Sequence, residues 1–122
     1  MATREEKMEA FGQLLDILDE LRVKCPWDRK QTNESLRTNT IEETYELCEA
    51  LMREDNTNIK KELGDLLLHI VFYSKIGEEK EAFDNQGCLR QPLPETDLPP
   101  STRIRRYLRR YRSKGRAKLG AA

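Results

Sequence analysis

The feature that most restricts this 122-residue chain is a helical hydrophobic period recurring in three segments, two of which carry carboxylates three residues apart. From about Glu5 to Arg22, apolar residues stand at Phe11, Leu14, Leu15, Ile17, Leu18 and Leu21, the stripe of an amphipathic helix. Pro26 breaks that period, so Lys24 to Asn33 reads as a loop closed by a short helix over Asn33 to Arg37. Thr40, with Glu43 three residues later, has the form of a capping box. It opens a second helix to about Arg53 with Ile41, Tyr45, Cys48 and Met52 on one face, Cys48 being expected in the core. Asp55 to Asn58 reads as a turn. Ile59, Leu63, Leu66, Leu67, Ile70 and Val71 then mark a third helix to about Lys75, stopped at Gly77. The expected fold is all-α, with the last two helices forming an antiparallel hairpin, and no internal repeat is visible.

The formal net charge of zero hides an asymmetry. Residues 1–100 hold 13 Lys/Arg against 22 Asp/Glu, net −9, while residues 101–122 hold 9 Lys/Arg and no acid. After Phe83 the period is lost, four prolines fall between Pro92 and Pro100, and an arginine-rich run follows. The domain reading is therefore a helical core over 1–83 and a divergent tail over 84–122, irregular or disordered. Cys25, Cys48 and Cys88 form no zinc-type pair and read as reduced thiols. No apolar run approaches the ~18 residues that span a bilayer, and no secretory leader is visible, so a cytoplasmic protein is expected.

The chemistry lies in the hairpin. At about 100° per residue, Glu43 and Glu46 share a face of the second helix, as Glu62 and Asp65 do on the third, so two carboxylate pairs can meet between helices. Four converging acids repel one another unless a cation intervenes, and hard oxygen donors suit Mg²⁺ or Mn²⁺. Mg²⁺ prefers few carboxylates plus substrate phosphates, which points to a phosphorylated ligand. Spacing alone leaves a second reading open, in which the acids are solvated helix faces of a highly charged chain. Trp27 could equally plug the hairpin core, and His69, one turn beyond Asp65, could support a metal site or simply pair elsewhere.

The stretch CPWDRKQTNESL, then IEETYELCEAL, then KKELGDLLLHIVFYSKIG, resembles the MazG family, whose hallmark is E-E-x-x-E followed by E-x-x-D. The three segments cover roughly residues 10–83 in the family's order. The resemblance implies an all-α, MazG-like helical bundle, a homodimer, and Mg²⁺-dependent hydrolysis of nucleoside triphosphates to monophosphate and pyrophosphate. It makes Glu43, Glu46, Glu62 and Asp65 the metal ligands and catalytic acids. Trp27, Asp28, Lys30 and Glu42 become substrate-binding candidates. The fitting mechanism is attack of water on the α-phosphorus, with a spare carboxylate as general base.

The chain departs from the family in two places. Lys61 stands beside Glu62 where relatives often carry a second acid, and beyond Asp84 the family's K-L-I-x-R-H-P-H-V and N-W-E-Q-L segments are missing. Plausible codons for Gly87 to Tyr107, read one base later, spell DVCDSLCQKLIYRHPHVYGD, and the same shifted frame yields NWEQ further on. A frameshift from about Asn85 is therefore expected, with impaired activity and an apolar face left for a partner chain. Two other classes stay in view: an inactive remnant or helical interaction module, and a basic-tailed, non-specific nucleic-acid binder.

Overall fold

The computed structural model describes residues 1–91, 109–110 and 112, and among these no strand occurs. The chain divides into Met1–Asn85 and Gln86–Ala122. The first unit holds α1 (Arg4–Lys24), α2 (Pro26–Lys30), α3 (Asn33–Met52) and α4 (Asn56–Glu79); a six-residue helix, α5 (Asn85–Arg90), begins at its end. The fold is all-α, as expected. The proline-rich stretch and most of the arginine run lie outside the described residues, whereas Asn85–Arg90 are helical where the sequence reads as irregular.

Helix α1 opens with a capping box between Thr3 and Glu6 and closes with Arg22 and Lys24 in its last turn, both suited to the helix dipole. The expected loop contains α2, started by Pro26 at its first position, where a missing N–H costs nothing. Helix α3 starts at Asn33, eight residues before the Ile41 stripe. Its N-cap is Thr32, with Ser35 completing the box, and Thr40 is mid-helix. The buried side chain of Leu36 holds that first stretch in the core. Asp55 caps α4, and the true turn is Arg53–Asp55, with Glu54 at φ 54°.

Gly77 does not stop α4. It is buried inside the helix beneath the Phe83 ring, where a Cβ would lie 2.4 Å from ring carbons. The chain reverses later, through Glu81 at φ 57°. Glycine is thus required here for close approach of a ring, not for a left-handed cap.

Leu18, Leu36, Val71, Phe72 and Ile76 form the buried core, with Phe11, Leu14, Leu15 and Tyr73 packed around it. Each full burial of such a side chain contributes about 1.5–3 kcal/mol. Asp19 pairs with Lys75 and Arg22 with Glu79, so the end of α1 runs beside the end of α4 in the same direction. Thr40 meets His69 and Tyr73 while Glu43 meets Glu62, so α3 and α4 are antiparallel. Apolar packing is thus gathered around the C-terminal half of α4. Its N-terminal half faces α3 through acids.

The stripe Ile41, Tyr45, Cys48 and Met52 points away from this core. All four are exposed, which corrects the expectation that Cys48 is buried. Toward α4, helix α3 turns Leu36, Thr40, Glu43 and Ala50 instead. No helix among the described residues is long and apolar enough to cross a membrane.

Candidate metal centre

Between α3 and α4, carboxylate oxygens of Glu43, Glu62 and Asp65 all lie within 4.8 Å of one another. Glu43 comes from the α4-facing side of α3, and Glu62 and Asp65 from one face of α4. Glu62 retains only 7% of its exposure. Glu46, one turn along α3, is exposed beside this trio and lines a cleft with Glu62, Arg53 and Asn58, where Arg53 is paired to Glu49 at 2.7 Å. Glu42 is exposed and outside the trio, near enough for its charge to act on Glu46.

The electrostatics are those of acids held together against their repulsion. Burial, then the adjoining Glu62 carboxyl and the charges of Glu46 and Asp65, push Glu43 above the ordinary carboxylate range. The charge of Glu62 is the main cause raising Glu46. Burial drives Glu62 upward too, but hydrogen bonding from Lys61 and from the Glu43 and Glu46 carboxyls outweighs it and leaves Glu62 below its usual value. Protons are therefore drawn to Glu43 and Glu46, with Glu62 as the anion they share.

Two oxygens decide whether a metal suits this site. Glu43 Oε2 and Glu62 Oε2 are buried with no hydrogen-bond partner. Leaving such a group unsatisfied costs about 1–3 kcal/mol, and more when it is charged. A hard divalent cation among the trio would satisfy both oxygens and cancel the repulsion, so the donor set fits one.

One rung further along the hairpin, Thr40 Oγ1 lies 2.8 Å from His69 Nδ1, 2.5 Å from Tyr73 OH and 3.1 Å from the Leu36 carbonyl. His69 is thus half-buried and tied across to α3. Nothing in the spacing reveals this cross-helix partner, whereas the pairing of Lys61 with Asp65 is readable as an i, i+4 ion pair.

The Cys25–Gln31 segment lies elsewhere. Arg22 grips it, donating from its Nη1 to the carbonyls of Asp28 at 2.6 Å and Gln31 at 2.9 Å, while its Nε meets both Glu79 oxygens at 2.8 Å. Its guanidinium also stands 5.5 Å from the Phe72 ring centroid. At about 1.5 Å per residue, Glu79 is roughly 20 Å along α4 from Asp65. Within one chain, Trp27, Asp28 and Lys30 are therefore not brought to the carboxylates. Trp27 is 56% exposed and plugs no core.

An all-α unit whose helical hairpin gathers carboxylates into a cation-ready trio defines the class of protein at hand. The family model described as the MazG nucleotide pyrophosphohydrolase domain matches residues 31–91, half of the chain, and the chain belongs to the MazG family. It is 45% identical over 82 residues to the nucleoside triphosphate pyrophosphohydrolase/pyrophosphatase MazG of Thermotoga maritima, covering 66% of this chain and 32% of that protein. It is 42% identical over 85 residues to a nucleoside triphosphate pyrophosphohydrolase of Escherichia coli, with the same coverage. The chain thus spans about a third of the length of these relatives. The crystal structure of a mazG-related protein from Thermotoga maritima superposes with a TM-score of 0.59 at 22% identity, over 83% of this chain and 98% of that one, which shows the shared fold.

Proposed function

We propose that this chain hydrolyses nucleoside triphosphates to nucleoside monophosphate and pyrophosphate, using Mg²⁺ or Mn²⁺ held by Glu43, Glu62 and Asp65 with Glu46 beside them. The observation that carries the reading is the pair of buried, partnerless oxygens on Glu43 and Glu62, two of the three acids that converge, and membership of the MazG family supports it. The bound ion would supply Lewis-acid polarisation of the phosphates and charge neutralisation. The protein's own part is to fix the donors on two rigid helices and to take up a proton. Water attacks the α-phosphorus, the bond from that phosphorus to the oxygen bridging to the β-phosphorus breaks, and pyrophosphate leaves with that electron pair. Glu46, open to the cleft and raised in proton affinity by Glu62, receives the proton of the attacking water.

Trp27, Asp28, Lys30 and Glu42 are proposed nucleotide contacts on resemblance alone. The separation of the first three from the trio favours their acting from a second copy of the chain. A homodimer is supported by the uncovered apolar residues Ile41, Tyr45, Met52, Leu63, Leu67 and Ile70. The three free thiols accord with the cytoplasm. Residues from about 84 onward are proposed to lie outside the family fold through a frameshift. The proline- and arginine-rich composition beyond residue 91, where the family match ends, supports this, and re-reading the coding DNA across codons 84–91 tests it.

Purified chain should release pyrophosphate from a nucleoside triphosphate panel only with Mg²⁺ or Mn²⁺, and Glu46→Gln should lower the rate at least about 100-fold, the lower range for a lost general base. Release that ignores metal and Glu46 would refute the reading. No release at all would favour the helical interaction module.

A further inference from the structure

We propose that Lys61 is the site's built-in counter-cation, whose ammonium a divalent ion must displace from Glu62 and Asp65 in order to bind. The inference rests on the metal-site reading above and adds to it a residue that sets the affinity. Lys61 Nζ lies 3.2 Å from Glu62 Oε1 and 3.3 Å from Asp65 Oδ2, so one ammonium bridges two of the three carboxylates that converge. Both contacts exceed the roughly 2.7–2.9 Å of a tight charge-assisted bond. The Lys61 side chain is 63% exposed, so it reaches the cluster from the water side and can swing away without disturbing the core.

The two oxygens of Glu62 divide the work. Oε1 is served by Lys61, whereas Oε2 is buried and has no partner. A single ammonium is a compact point charge of +1 and leaves the inner oxygens of Glu43 and Glu62 unsatisfied. A divalent ion between them would supply twice the charge and serve the inner oxygens. It would also draw on Glu62 and Asp65, placing two cations within a few ångströms of each other. Their repulsion makes occupancy by one or the other the stable outcome.

The measurement is Mn²⁺ titration of the full chain, following free Mn²⁺ by electron paramagnetic resonance, for wild type, Lys61→Met, Lys61→Gln, Lys61→Arg and Glu62→Gln. Both neutral variants should bind Mn²⁺ about tenfold more tightly than wild type at low ionic strength, the scale of one unit charge near an exposed pair. The gain should shrink as salt is raised. Lys61→Arg should stay near wild type, and Glu62→Gln should bind poorly. Equal or weaker binding by the neutral variants, with wild type binding and Glu62→Gln not, would overturn the counter-cation role and leave the metal site standing. No Mn²⁺ bound by any of these chains would overturn both.

Discussion

Glu43 sits where burial and charge conflict, and that conflict can be measured without substrate. Its folded pKa is raised, so its contribution to stability is fully present below the unfolded value of 4.5 and is lost as pH rises through the raised folded value. In chelator, the protein should therefore lose stability on account of this group as pH rises above about 4.5. Glu43→Gln keeps the shape, removes a charge and offers an N–H to the partnerless Glu62 oxygen. In chelator at pH 7 it should be more stable than wild type by about 1 kcal/mol, with a flatter pH profile, while losing its stabilisation by Mg²⁺. Thermal melts over pH check this, and a variant less stable without metal would contradict it. The meeting of Glu43, Glu62 and Asp65 was legible in the sequence, because helical spacing fixes which acids share a face. Thr40 looks like a cap in the sequence yet lies inside α3, for an equally physical reason. A Thr followed three residues later by Glu is a cap only if the chain before it is not helical, and a lone Leu36 carries no period to reveal that it is.

Among the elements, α4 depends on its neighbours at both sides of its C-terminal end. Gly77→Ala gains helix propensity worth about 1 kcal/mol, but its Cβ would collide with the Phe83 ring. Since Phe83 is half exposed, the ring should swing out, giving a net loss of about 1 kcal/mol. In a Phe83→Ala background the same substitution should become stabilising. Equal effects in both backgrounds, read from a double-mutant cycle in urea, would dismiss the contact. The sequence could not distinguish a glycine that ends a helix from one that admits a ring, since the partner lies outside the helix's own pattern. Arg22 is a second junction, tying α1, the α2 segment and α4 through one guanidinium. Arg22→Met should cost about 2–3 kcal/mol and speed amide exchange over residues 25–32, and Lys should not rescue it, because one ammonium cannot serve the carboxylate and both carbonyls. Unchanged exchange there would mean the segment is held by other contacts.

At the scale of the molecule, the apolar period in α3 reports a surface left open among the described residues. Ile41, Tyr45, Cys48 and Met52 were readable as one face, but hydrophobic spacing cannot say whether that face is covered by its own chain or by another. Sedimentation should give about twice the 14.3 kDa chain mass, and Tyr45→Glu with Leu67→Glu should return it to the monomer. A wild-type monomer would sink the dimer and, with it, the delivery of Trp27 from a second copy. Anomalous diffraction from crystals soaked in Mn²⁺ shows whether the α3–α4 hairpin is a metal centre. One strong peak bounded by Glu43, Glu62 and Asp65 is expected, absent in Glu62→Gln crystals. A clean map at that position in a well-soaked crystal, with Mn²⁺ bound elsewhere, would contradict it.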